Sequence, residues 1–301
     1  MISDSQQKLR QGALLAIAAY TMWGIAPIYF KLLSGIPAIE ILSHRVIWSF
    51  FLLAILLHCN RRWKIVQRII TSRINMLYLF CSTSLIGLNW LIYIWAINSG
   101  HVLEASLGYY INPLINVILG MVFLGENLRK LQWIAVMLTI CGVLVQLIAF
   151  GSVPVVAIAL ASSFAFYGLL RKKVNLNPQV GLFVETLLML PVAAIYLFWV
   201  ADTPTVNFFN NPITLNLLLV SAGLVTTLPL LCFATAATRL KLSTLGFFQY
   251  IGPSLMFLLA VLMYGEPFTL DKVITFAFIW TALIIFSFDG INYNKHLHKP
   301  V

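Results

Sequence analysis

The chain has 301 residues, 61 % of them hydrophobic and only 9 % charged, with a net charge of +10. A soluble domain carries about 25 % charged residues, so this composition cannot clothe a water-facing surface; it excludes a soluble enzyme, a nucleic-acid binder and an extracellular disulfide scaffold. No Lys, Arg, Asp or Glu occurs between Lys130 and Arg171, between Asp202 and Arg239, or between Lys241 and Glu266. At roughly 20 apolar residues per membrane span, the first two gaps hold two spans each and the third holds one.

Taken in chain order, ten apolar stretches are predicted to be spans: 12–33, 39–57, 75–97, 103–124, 131–149, 153–170, 181–200, 213–237, 244–263 and 272–289. In lipid they must be helical, because strand edges would leave backbone groups unpaired. The first follows Lys8 and Arg10 and contains Ala16-Ile17-Ala18, which resembles a signal-peptidase site; since apolar spans continue to the end, it is read as the first helix. Cys59, Cys81, Cys141 and Cys232 are scattered, form no CxxC pair and are read as small packing residues, neither disulfides nor metal ligands.

The loop charges predict the orientation. On one side lie Lys8 and Arg10, then Arg61, Arg62, Lys64, Arg68 and Arg73, then Arg129 and Lys130. The same side continues with Arg171 to Lys173, Arg239 and Lys241, and Lys295 and Lys299, making sixteen of the 19 cations. The opposite loops hold only Lys272, and Lys31 and Arg45, at the ends of the first and second helices, complete the 19; both termini are therefore expected in the cytoplasm.

An internal repeat divides the chain into 1–150 and 151–301. Tyr110-Ile111-Asn112-Pro113 followed by Gly125-Glu126 recurs 140 residues later as Tyr250-Ile251-Gly252-Pro253 followed by Gly265-Glu266. Ser106-Leu107-Gly108 answers Thr244-Leu245-Gly246 at an offset of 138. Five helices per half is an odd number, so the second half must run upside down relative to the first. Such inverted repeats place a substrate site at their interface, near mid-membrane. Each Gly-Glu pair follows a helix end; Gly is expected in the left-handed cap, with the acid starting the next helix.

On these residues the chain resembles the EamA family of the drug/metabolite transporter superfamily. The stretch Glu40-Ile41-Leu42-Ser43-His44-Arg45-Val46-Ile47-Trp48-Ser49 and the run from Ala105 to Trp133 resemble its RarD branch. The resemblance covers essentially the whole chain. It implies an all-α membrane protein of ten transmembrane helices in two inverted five-helix repeats, acting as an inner-membrane transporter of small metabolites or drugs. The branch carries a label of chloramphenicol sensitivity or resistance.

A charge at the bilayer centre costs about 2.5–3.5 kcal/mol on insertion scales, so each intramembrane polar residue needs a reason. Glu40, His44 and Trp48 share one face of the second helix, with Arg45 about 60° from Trp48 around it. Arg45 lies six residues in from Ile39, roughly 9 Å deep, and is a candidate for binding a substrate carboxylate or other acceptor, with His44 as a hydrogen-bonding or protonatable neighbour; a structural ion pair is the other reading. Asn89, Trp90 and Tyr93 offer a similar face on the third helix. On the fourth, Ala105, Tyr109, Asn112, Asn116 and Gly120 form one stripe beside Pro113, which is expected to kink the helix. Gln249 and Tyr250 occupy the repeat positions of Tyr109 and Tyr110 on the ninth. Amides and rings together suit a flat, amphipathic, mostly uncharged or zwitterionic ligand. Lys31 with Glu40, and Arg171 to Lys173 with Glu185, flank equivalent turns in the two halves; they are read as alternate gating contacts or loop-anchoring salt bridges. Ala157, Ala161 and Ala165 read as close helix packing, and His296 and His298 are too sparse for a metal site.

A membrane-embedded enzyme or a lipid-carrier flippase is the competing class. No HExxH, DxxD, GxSxG or P-loop pattern is present, and no loop exceeds about 20 residues, leaving no room for an ATP-binding domain. The sequence therefore reads as a secondary transporter, with export the expected direction, working by alternating access. No cofactor or metal is expected. The expected partners are membrane lipid and a small-molecule substrate, with no nucleic acid; a homodimer stays open.

Overall fold

In a computed structural model, residues 4–99, 101–201, 205, 208–263 and 269–296 are described, and every regular element among them is helical. In chain order these are α1 (Asp4–Lys31), α2 (Ala38–Cys59), α3 (Trp63–Ile70), α4 (Arg73–Asn98), α5 (Val102–Leu124) and α6 (Lys130–Phe150). The second half follows with α7 (Val155–Val174), α8 (Pro178–Ile195), α9 (Ile213–Arg239), α10 (Leu242–Gln249), α11 (Ile251–Leu262) and α12 (Leu270–His296). α8 continues as a π-helical turn through Val200, and α10 and α11 form one span interrupted at Tyr250. Among the described residues ten spans are long and apolar enough to cross a membrane, and each overlaps one predicted stretch.

The additional element, α3, has the sequence WKIVQRII and buries Val66 and Ile69 while exposing Lys64 and Arg68. Its eight residues fall far short of a span, so it lies in the basic loop rather than crossing. Pro113 leaves α5 unbroken; the interruption comes in the other half, at Tyr250. The cysteines differ from expectation. Cys59, Cys81 and Cys141 are exposed, and only Cys232 is partly packed, against the core around Phe233.

Helix ends follow local chemistry. Gly125, at φ +62°, closes α5 in the left-handed conformation expected of it. Glu126 does not start α6. Its carboxylate accepts from the backbone N–H groups of Leu242 (2.6 Å) and Ser243 (2.9 Å) and from the Ser243 hydroxyl (2.7 Å), capping α10 in the other half. The unpaired N–H groups of any helix start attract a carboxylate, and folding brings α10 closer to Glu126 than its own neighbour in sequence. Glu104 does the same for α7, accepting from Val156 N at 3.0 Å. Gly265, Glu266 and His298 lie outside the described residues.

Packing follows small residues. α2 and α9 touch through backbone: a Cβ on Gly223 would stand 2.5 Å from the Trp48 carbonyl carbon, and Ser49 Oγ donates to Gly223 O at 3.2 Å. Ala157, Ala161 and Ala165 are fully buried, and Gly108 of α5 lies against the Ala157 carbonyl. α6 packs along α12, while α5 packs on α7 and α10, α1 on α9 and α11, α2 on α8 and α9, and α4 on α7 and α8. Exchanging the first five spans for the last five, in order, maps these packed pairs onto one another.

Gly223→Ala is therefore expected to lower stability by about 1–3 kcal/mol through overpacking. Gly35→Ala, where a Cβ meets nothing within 4 Å, should stay within about 0.5 kcal/mol of wild type. Thermal unfolding of the purified variants in detergent compares the two; equal midpoints would refute the close α2–α9 approach.

Candidate functional site

A cavity of about 560 Å³ lies among α1, α2, α4, α5, α7, α10 and α11, so both halves contribute its walls. That volume falls within the range of small-molecule sites. α2 turns Ala38, Ile41, Leu42 and Arg45 toward it, the i, i+3, i+4, i+7 stripe of one helix face. α4 contributes Asn89, Trp90 and Tyr93, α5 contributes Tyr109 and Asn112, and α10 contributes Gln249. The cavity extends to the short α1–α2 turn, where Lys31 and Ser34 line its mouth.

Arg45 is the charged group inside. Its Nε donates to Thr226 Oγ1 at 2.8 Å, and its guanidinium carbon lies 5.0 Å from the Trp90 ring centroid and 5.5 Å from that of Phe30. Tyr29, Tyr93 and Tyr109 are near enough to interact with it electrostatically. Among the described residues no carboxylate pairs with Arg45, so it is not the structural ion pair that a buried arginine often makes. Stacking between rings suits a planar, weakly hydrated guanidinium and holds its plane.

The amides form a connected set. Asn89 donates from Nδ2 to Leu160 O and Ser163 Oγ, both at 2.9 Å. Asn112 Nδ2 donates to Ala161 O at 2.5 Å. Asn116 lies behind the wall and donates to Asn112 Oδ1 (2.9 Å) and Gln249 Oε1 (3.2 Å), tying α5 to α10. Tyr250 also sits behind the wall, its hydroxyl donating to Tyr110 O at 2.9 Å.

The face of Glu40, His44 and Trp48 does stay together, but it turns away from the cavity. His44 and Trp48 pack on Phe208, with ring centroids 5.9 and 6.0 Å apart, and neither lines the cavity wall. Glu40 is buried and accepts from Thr205 Oγ1 at 2.5 Å. A helix has several faces, and sequence cannot say which meets the chamber; the partner residues at 205 and 208 lie far along the chain.

Sequence reasoning also passed over the cavity floor. Tyr20, Trp23 and Phe164 line it, backed by Phe233 and Tyr167, whose rings stack at 6.1 Å and 13°. The only signal was Tyr20 and Trp23 spaced by three on an otherwise plain apolar helix. Beyond this floor, Arg171 Nη1 pairs with Glu185 Oε1 at 3.3 Å, with side chains 5 % and 4 % exposed. Glu185 also accepts from Ser82 (2.6 Å) and Tyr167 (3.3 Å). Gly181 leaves the room for this guanidinium, since a Cβ there would overlap Arg171 Nη1. Asn60 and Arg62, just beyond the far end of α2 from the cavity mouth, bond to Gln179 and Asn177 of the α7–α8 region. The Arg171–Glu185 pair thus sits at the opposite end of α2 from Lys31.

The EamA-like transporter family model matches this chain twice, over residues 10–148 and 152–288. The chain belongs to the EamA-like transporter family. It is 67 % identical over 290 residues, 96 % of each chain, to a protein of Vibrio cholerae named an uncharacterized transporter. It is 59 % identical to Protein RarD of Escherichia coli K12, covering 98 % of this chain and 100 % of that one. It is also 32 % identical to the chloramphenicol-sensitive protein RarD of Pseudomonas aeruginosa, covering 93 % and 94 % of the two chains. A solved crystal structure shares the fold, with a TM-score of 0.72 at 15 % identity over 91 % of this chain and 96 % of that one. Ten apolar helices and this membership make the EamA-like chain a multi-pass membrane transporter of the RarD type.

Removing one partner of a buried ion pair leaves the other charge uncompensated, at a cost of about 3–5 kcal/mol. Glu185→Ala should therefore lower the unfolding midpoint sharply, and Glu185→Gln less, because Gln can still accept from Ser82 and Arg171. Thermal unfolding of both variants measures this; a Glu185→Ala protein as stable as wild type would show that the pair is not a closed, dry contact.

Proposed function

We propose that this protein is a secondary transporter that exports small amphipathic organic molecules across the bacterial inner membrane by alternating access. The carrying observation is the cavity of about 560 Å³ walled by both halves and reaching the α1–α2 turn. Three further observations support inverted repeats at 1–150 and 151–301. The family model matches twice, the packed pairs exchange between halves, and the equivalent α1–α2 and α7–α8 turns lie at opposite ends of α2. With sixteen of 19 cations on the side of the termini, that side is cytoplasmic and the cavity mouth faces outward.

In this reading the structure is the outward-facing state. The aromatic floor and the Arg171–Glu185 pair close the cytoplasmic side; Lys31, at the outer mouth, and Glu40, held by Thr205 on the face of α2 turned from the cavity, are their counterparts. Rocking one half against the other opens the inner pair and closes the outer one, carrying the ligand past the floor. Arg45, Asn89, Trp90, Tyr93, Tyr109 and Gln249 contact the ligand; Asn112, Asn116 and Tyr250 hold those side chains in place. Chloramphenicol belongs among the solutes to test, because one relative is named for sensitivity to it.

Purified protein in proteoliposomes, loaded in turn with labelled aromatic metabolites and with chloramphenicol, should show counterflow of at least one of these solutes. Arg45→Ala should remain folded and lose at least tenfold of that rate. Arg45→Ala moving solute at the wild-type rate would place the binding site elsewhere.

A further inference from the structure

Asn89, Gln249 and Arg45 each have hydrogen-bonding groups that the protein does not use. Both amide hydrogens of Asn89 are committed to Leu160 O and Ser163 Oγ, which leaves Oδ1 as an acceptor at the wall. Gln249 is the reverse: its Oε1 accepts from Asn116, so Nε2 remains as a donor. Asn112 is the most committed of the amides, with one N–H on Ala161 O and its Oδ1 accepting from Asn116, which leaves it a single N–H to offer. Arg45 uses Nε alone, and its two Nη groups have no acceptor among the described residues.

The charge inventory is one-sided. Among the described residues no Asp or Glu lines the cavity, whereas Arg45 lines its interior and Lys31 its mouth. A guanidinium out of water without a counterion is unfavourable, and a carboxylate meeting its two Nη groups can form the parallel fork that arginine is shaped for. An amine would bring like charge to like charge where little water screens them. The rings that hold Arg45 also provide flat apolar surface beside it, from Trp90 to Tyr93 and Tyr109.

We infer that the cavity selects net-anionic aromatic monocarboxylates: the carboxylate on Arg45, the ring against Trp90, and one N–H or O–H of the ring donating to Asn89 Oδ1. This narrows the amphipathic ligand of the transport reading, on which it rests, to acids, and excludes amines and simple neutral analogues as good ligands.

Three probes of one shape separate the charges: indole-3-propionate, its primary amide and tryptamine, added to the full-length protein in detergent at constant pH. Calorimetric titration and thermal shift should show the acid binding at least tenfold tighter than the amide, with tryptamine weakest. Arg45→Gln should abolish the preference for acid over amide, and Asn89→Leu should weaken indole-3-propionate but not its N-methyl derivative. If Arg45→Gln fails to fold, Thr226→Val supplies the same reading, since releasing Nε should reduce the acid preference. Amide or tryptamine binding as tightly as the acid, no acid binding at millimolar concentration, or an unchanged preference in the variant would overturn the inference. Acid binding without counterflow in proteoliposomes would leave it standing and refute transport; counterflow of other solutes with no acid preference would do the reverse.

Discussion

A guanidinium held in a chamber of low polarity without a carboxylate beside it is the constraint around which this structure is arranged. Arg45 lies deep on α2, half-buried in the cavity wall, and among the described residues no acid is placed to neutralise it. What surrounds it instead is a hydroxyl from α9 and ring faces from α1 and α4. These fix the plane of the fork but do not satisfy it. The nearby amides are built in the opposite way, with most of their donors and acceptors committed to neighbouring helices, so they are rigid and present one group each. Rigid, partly satisfied groups beside an unsatisfied charge make a binding surface rather than a packing core.

The two ends of the chamber differ in how they are closed. Toward the α1–α2 turn the wall is loose and lined by Lys31 and Ser34. At the other end, aromatic rings lie on a buried ion pair that is hydrogen-bonded on several sides. A buried ion pair contributes little net stability, because desolvation offsets attraction, but it is costly to half-break. That makes it a good contact for a two-state barrier: either both partners stay dry together, or both become hydrated together.

Close approaches join the helices of the first half of the chain to those of the second. Glu126 and Glu104, both in the first half, cap helices of the second, and Gly223 lets α9 lie on the backbone of α2. Without a hydrophobic force between helices in lipid, contacts of this sort carry the association. Each is short and directional, so it fixes how the helices it joins lie against each other.

The ten spans were legible in the sequence because the bilayer forces them into composition: its thickness sets the length of each apolar run. Arg45, Asn89, Trp90, Tyr93, Tyr109 and Gln249 were legible for a related reason, since polar side chains so deep must turn inward. The rest depended on which inward face meets the chamber. His44 is buried and Trp48 half-buried, yet both pack on Phe208 instead of lining the chamber; Glu126 serves a helix more than a hundred residues away; and the floor of Tyr20, Trp23 and Phe164 is apolar, so nothing in its composition distinguishes it from lipid-facing surface. Hydrophobicity is a property of each residue alone and can be read from sequence; the facing of one helix toward another is a property of pairs, and only the tertiary structure decides it.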